Sequence, residues 1–162
     1  MKAQSRYLKN LIAKLEQLET ADEAIEKASI AIADSLEQDG LIHVFGTGHS
    51  HMLAEEMFYR AGGLGSVNPI LEEDLMLHKN ASRSTELERD AHLASQILGK
   101  HILSKGDIFI IASNSGGNAL IEAMANEVKR QGLVLIAITS IQHATSNNAD
   151  RKSTRLNSSH VS

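Results

Sequence analysis

Apolar positions in the first forty residues recur at helical spacing. Leu8, Leu11, Leu15 and Leu18 lie three and four apart, one stripe of an amphipathic helix over residues 4–19. Thr20 followed by Glu23 has the spacing of a capping box, so a second helix is expected to start there and run to about Gln38. Its face carries Ala24, Ile25, Ala28, Ile32 and Leu36, and Asp39-Gly40 ends it. Residues 1–38 therefore read as a helical hairpin placed before the main domain.

From Leu41 the period changes. LIHVF, IFIIAS at 108–113 and LVLIAIT at 133–139 are short, continuous apolar runs, as in strands buried on both faces. Ser66–Ile70 reads as a further strand. Helices are expected over Ser50–Ala61, closed by Gly62-Gly63, and over Ser84–Leu98, with Leu87, Ala91, Ala94 and Leu98 aligned. Another is expected over Asn118–Gln131, stopped by Gly132. Leu71–Ser82 is polar and mixed, and is expected to loop over a site. Strands alternating with helices predict an α/β fold, a three-layer doubly wound parallel sheet over residues 39–149.

The last residues break this pattern. DRKSTRLNSSHVS is polar, with no apolar period. Asp150–His160 resembles the conceptual translation of a common sequencing adapter, so residues 150–162 are read as an artefactual tail. The sheet domain is then expected to be C-terminally truncated, its later elements lying past Ala149.

Composition narrows the chemistry. The 162 residues contain no Cys, which excludes disulfides, thiolate metal sites and a cysteine nucleophile. The formal charge is −4; without the tail Lys and Arg number 13, Asp and Glu 19, and the charge becomes −6. No basic stripe suggests nucleic acid, and no apolar run suggests a membrane span or signal peptide. A cytoplasmic protein is expected.

Two strand–loop–helix junctions carry the candidate chemistry. In VF-GTGHSH-MLAEEMF the glycines permit a tight turn, and the free N–H groups of the following helix favour an anion. The third glycine of a dinucleotide fingerprint falls at His51, and a Walker lysine is missing, so no nucleotide cofactor is expected. In IFIIA-SNSGGN-ALIEAMANEV the same logic recurs with Ser113, Ser115 and Asn118 as small polar donors. Both loops follow strands, so both are expected on the carboxyl edge of the sheet, where open α/β folds bind ligands. Two helix caps without a ligand are the plainer alternative.

Gly46-Thr47-Gly48-His49-Ser50 and Ser113-Asn114-Ser115-Gly116-Gly117-Asn118 resemble the SIS (sugar isomerase) domain, over about Leu36 to Ser140. Asn118 stands where Thr is usual. Thr139-Ser140 match a position that commonly lines the sugar. The N-terminal helices, PILEEDLMLH and STELERD further resemble bacterial UPF0309, sugar isomerase domain-containing proteins. The resemblance implies a flavodoxin-like strand order, a sugar phosphate ligand held by these residues, and a homodimer. It implies no reaction; the leading reading is a phosphosugar-binding protein that catalyses isomerisation or etherase-type elimination, with a non-catalytic sensor regulating a partner protein, or a dimeric scaffold, as the alternatives.

Such reactions need a base beside a carbonyl. Glu86 and Glu88, expected at a helix start after the polar loop, lie near where the family often keeps a catalytic glutamate; the alternative is a pair of first-turn carboxylates. His49, inside the first loop, is the other catalytic candidate. Glu72 and Glu73 read as surface charges and His43 as a structural histidine. His51 reads as a packed or solvated helix residue, and His92 and His101 as solvated. His78 is a loop residue that would reach the sugar only if the loop folds over it. No histidine spacing suggests a metal.

Overall fold

A computed structural model describes residues 2–141 and 143. The expected tail lies outside the described residues. Four strands, β1 (Ile42–Gly46), β2 (Val67–Ile70), β3 (Ile108–Ala112) and β4 (Val134–Ile138), pair in parallel in the order β2-β1-β3-β4. Strand order reverses between β1 and β3, as in doubly wound sheets of flavodoxin type.

Side chains alternate across this sheet and give it two buried faces. Ile42, Val44, Ile108 and Ile110 point to one face. There they meet Ala31, Ile32 and Leu36 of α2 (Asp22–Glu37) and Leu53, Ala54 and Met57 of α3 (Met52–Met57). Phe45, Phe109, Ile111 and Leu135 point to the other face. They pack on Ala94, Ile97 and Leu98 of α5 (Leu93–Leu98) and on Leu120, Ile121, Met124, Ala125 and Val128 of α6 (Ala119–Arg130). The result is the three-layer α/β arrangement that the apolar runs predict.

Two helices precede the sheet, α1 (Ala3–Glu16) and α2, joined by the 3-10 turn Gln17–Ala21. Helical hydrogen bonding thus continues from Ala3 to Glu37 without an extended residue. The capping box does not form: the Thr20 hydroxyl donates back to the Gln17 carbonyl at 2.6 Å, and Glu23 takes Lys27 instead. Thr20 lies inside the helical path and not at its start, so its hydroxyl finds a preceding carbonyl.

Three other expectations change. The helix after β1 ends at Met57, before Gly62-Gly63, because Phe58 is extended and Tyr59 takes a φ of 52°. The polar stretch after β2 is largely helical: a 3-10 turn Glu73–Leu75, then α4 (Leu77–Leu87). α4 kinks at Asn80, whose side chain accepts the Arg83 amide at 3.0 Å and caps the second part. It is pinned by the fully buried Ser84 hydroxyl, which donates to Leu75 O at 2.8 Å. The helix expected over Ser84–Leu98 is two helices, separated where Asp90 accepts the His92 amide at 2.9 Å in an Asx turn.

Candidate functional site

β1 and β3 are neighbours, so the loops that follow them emerge side by side on the carboxyl edge, at the point where strand order reverses. Thr47 leaves β1 extended, Gly48 takes a φ of 54°, and Gly48–His51 form one 3-10 turn into α3. The Ser50 amide donates to Thr47 O at 3.0 Å, and the buried His51 ring donates through Nδ1 to Gly48 O. A carbonyl only accepts, so that ring nitrogen carries a proton. His51 is thus a packed residue that fastens the turn.

Gly46 is required by crowding. A Cβ there would lie 2.6 Å from the Ser50 carbonyl carbon and oxygen and 3.0 Å from the His51 nitrogen. Gly46→Ala is expected to push the turn off the strand end and cost about 1–3 kcal/mol of stability, the scale of overpacking. Thermal unfolding checks this; an unchanged midpoint would show that the turn yields freely.

The second loop is built with the same economy. The Ser113 amide donates to Ile138 O at 3.0 Å, extending the β3–β4 ladder. Its hydroxyl oxygen accepts the Gly116 amide at 3.1 Å, and Gly116 takes a φ of 62°. Asn118 caps α6, its Oδ1 accepting the Ile121 amide at 2.8 Å. Its Nδ2 crosses to the first loop and donates to the buried Thr47 Oγ1 at 3.2 Å. The two loops are therefore bonded to each other, and Asn in place of Thr supplies both the cap and the bridge.

Beside them opens a cleft of about 370 Å³, lined by Ser50, Ala112, Ser113, Asn114, Ile138, Thr139 and Ser140. Three loops contribute, those after β1, β3 and β4. The Ser140 amide donates to Asn114 O at 3.3 Å, which ties the third loop to the second. The lining is uncharged. The 12-residue α6 starts directly after the second loop, and a helix N-terminus favours negative charge. Among the sequence candidates, Thr47, Gly46, Gly48, Gly116, Gly117 and Asn118 shape or brace the loops behind this lining. Ser115 is half-buried in the second loop, and His49 is exposed on the first turn. Ala112 and Ile138 were not candidates; being the last residues of strands that feed these loops is the signal that marks them.

The two glutamates part company. Both stand at the end of α4, not at a helix start, because the chain breaks after Leu87. Glu86 is exposed, 3.7 Å from Arg83, and takes no part in the cleft. Glu88 caps the C-terminus of α4, and its carbonyl accepts the Leu120 amide of α6 at 3.1 Å. Its Oε1 lies 3.3 Å from where a Cβ on Gly48 would sit. Glu88 thus stands against the first loop while its backbone holds the helix that starts after the second. His78 lies on exposed α4, its ring centre 6.3 Å from that of His51.

At the opposite, amino edge lies a second polar group. His43, fully buried in β1, shares Nε2 with Asp107 Oδ2 at 3.0 Å and takes the Asn68 amide nitrogen on Nδ1 at 2.8 Å. It is a satisfied structural histidine. His101, expected to be solvated, is half-buried beside it, and burial, with the nearby His43, lowers its pKa. Among the described residues, no three His, Cys, Asp or Glu gather as a metal-binding group, and no helix is long and apolar enough to cross a membrane.

Known proteins resemble this chain in sequence and fold. It is 41% identical over 143 residues to a UPF0309 protein of Listeria innocua, covering 88% of this chain and 58% of that protein. It is 42% identical over 139 residues to a UPF0309 protein of Caldanaerobacter subterraneus, covering 85% and 56%. The chain thus spans little more than half the length of these curated relatives. Among solved structures, the phosphoheptose isomerase of Neisseria gonorrhoeae superposes with a TM-score of 0.60 at 19% identity, covering 92% of this chain and 79% of that one. A phosphoheptose isomerase from Francisella tularensis gives 0.59 at 18%, covering 94% and 83%. Residues 6–140, carrying both loops and the whole sheet, match the SIS domain, and the chain belongs to that family.

Proposed function

We propose that this protein binds a phosphorylated sugar in the cleft beside β1, β3 and β4 and acts on it by proton transfer, as an isomerase or a lyase. The observation that carries this reading is the bonded pair of amide loops at the strand-order reversal, joined by Asn118 and Thr47 and opening on a cleft lined by hydroxyls. Neutral donors on rigid backbone suit a phosphate monoester, which brings its own charge. The activity named for the two structural neighbours, on a phosphorylated sugar, supports the same class.

In this reading the phosphate rests on the Ser113–Asn118 loop, and the sugar hydroxyls meet Ser50, Thr139 and Ser140, with Thr47 bracing the first loop behind them. Glu88 takes the proton beside the carbonyl, and His49, on the same turn as Ser50, supplies the acid for ring opening. No cofactor is required, since the base and acid chemistry is complete in side chains. A homodimer, as the family resemblance implies, belongs to this reading.

Ser115→Ala is expected to lose about 1–3 kcal/mol of phosphate affinity, the scale of a hydrogen bond to a charged group. Calorimetry with a panel of hexose and heptose phosphates measures it. Binding that ignores the phosphate, or equal affinity in the variant, would take the second loop out of the site.

A further inference from the structure

At the amino edge the Asn68 side chain of β2 sits between two imidazoles. Its amide nitrogen lies 2.8 Å from His43 Nδ1 and 3.5 Å from His101 Nδ1. An amide nitrogen has two protons to donate and nothing to accept with. Both ring nitrogens that face it must therefore be bare. Asp107 fixes the same arrangement from the other side. Its carboxylate only accepts, so His43 Nε2, 3.0 Å from Oδ2, carries that ring's proton and leaves Nδ1 as an acceptor.

The two histidines differ in their freedom to move. His43 is fully buried, bonded at both nitrogens, and its ring stacks on Phe109 with centroids 6.0 Å apart. His101 is half-buried, on the connection from α5 to β3. Lys100, next to it, donates to both carboxylate oxygens of Glu72 at 2.6 and 2.8 Å. Lys100 to Glu72 and His101 to Asn68 thus bind this connection to β2 and to the residues just after it. β2 is an edge strand of the sheet, paired to β1. The titratable groups around His101 are His43 from β1, Glu72 after β2 and Lys100 on its own connection, with Asp107 beyond His43. Burial and then His43 oppose a proton on His101, while Glu72 favours one and Lys100 opposes it.

We propose that His101 is an acid-released latch: bare at Nδ1 it takes a proton of the Asn68 amide and holds the α5–β3 connection on the edge strand, and protonated it turns out to water and lets the connection go. Protonation changes Nδ1 from acceptor to donor and sets N–H against N–H. His43 has no path to water, whereas His101 exchanges the contact for hydration of its charge. The proton comes from solvent, and no other group changes its charge. Folding then resists the proton. The latch contributes stability that is full above the ordinary histidine value and is lost as pH falls from there through the lowered folded value. The candidate cleft lies at the other edge of the sheet, so this inference is independent of the ligand.

Nuclear magnetic resonance of the full chain, titrated from about pH 8 to about pH 5, tests it. Wild-type His101 is expected to titrate below the ordinary histidine value, with His43 keeping its proton on Nε2 throughout. Across the same step, protection from hydrogen exchange at the amides of residues 100 and 101, which donate to Ile97 O and Leu98 O at 3.0 Å, is expected to fall about tenfold. His101→Phe should abolish that step. Asn68→Asp should reverse the latch, because a carboxylate accepts from an imidazolium: His101 should then titrate above its wild-type value. Where Asn68→Asp does not fold, His101→Phe decides, since its side chain is half-exposed. Wild-type His101 titrating at or above the ordinary value, or a protection step that persists in His101→Phe, would overturn the latch. So would a folded Asn68→Asp protein in which His101 titrates as in the wild type.

Discussion

Asp107→Ala is expected to lower the stability of this protein by several kcal/mol: leaving the buried His43 donor unpaired costs about 1–3 kcal/mol, and two part-buried amides lose their acceptor as well. Asp107 is 4% exposed and accepts three donors: the Leu41 amide at 2.9 Å, the Ser104 amide at 2.7 Å and His43 Nε2 at 3.0 Å. It therefore fixes the entry to β1, the turn before β3 and a fully buried imidazole at once. Alanine strands the His43 donor away from water and takes the acceptor from the two part-buried amides. The pH dependence has a definite sign. Burial pushes the Asp107 carboxyl up, but the hydrogen bonds from His43, Leu41 and Ser104 outweigh it and hold the group below its ordinary value. A depressed carboxylate contributes stability above its unfolded pKa and loses it as pH falls through the folded one. Urea unfolding from neutral pH down past the ordinary aspartate range should show this loss in the wild type and a flatter acid limb in Asp107→Asn. A wild-type acid limb no steeper than that of Asp107→Asn would show that Asp107 is not the group responsible.

This group also marks where the sequence was silent. Gly106-Asp107 reads as an ordinary turn before an apolar run, and nothing local says that its carboxylate reaches back 64 residues to His43. Strands and loops were legible for the opposite reason. A strand buried on both faces is a continuous apolar run whatever its neighbours are, so β1, β3 and β4 could be read directly. Gly48 and Gly116 stand at positive φ, where glycine is the residue that local physics requires.

The region from Phe58 to Leu98 was read less well because its local signals mislead. Leu87, Ala91, Ala94 and Leu98 keep a helical stripe across a real break, since helices on either side face one core. The break is made by the single Asp90–His92 contact, which hydrophobic periodicity does not register. α4 has the converse problem. LHKNASRSTEL has almost no apolar period, and what fixes the helix is a buried serine hydroxyl on Leu75 and an internal cap by Asn80. The serine bond depends on tertiary position, and the Asn80 cap is a local contact that hydrophobic periodicity does not register. The misplaced boundary matters for chemistry, because it decides whether Glu88 begins a helix or ends one against the first loop.

That position gives the second large effect. Glu88→Gln is expected to reduce turnover of a phosphosugar by about 10²–10⁴-fold, the usual contribution of a positioned base. Phosphate affinity should stay within a few-fold of wild type, because Ser113–Asn118 and the Thr47–Asn118 bridge are untouched. Gln keeps the shape and the backbone carbonyl that accepts the Leu120 amide, so the α4–α6 junction survives. Proton abstraction beside a carbonyl also exchanges that proton with solvent. Deuterium entering the sugar from heavy water therefore reports the step even when product does not accumulate, and nuclear magnetic resonance reads it directly. Glu86→Gln is the control, since Glu86 faces solvent beside Arg83 and should leave exchange unchanged. Exchange lost with Glu88 alone makes it the base. Exchange that persists in Glu88→Gln assigns the proton to another group, while binding without exchange in the wild type leaves the cleft as a sensor's pocket. These outcomes differ because Glu88 meets the first loop through its side chain and α6 through its backbone, so glutamine removes the chemistry and spares the scaffold.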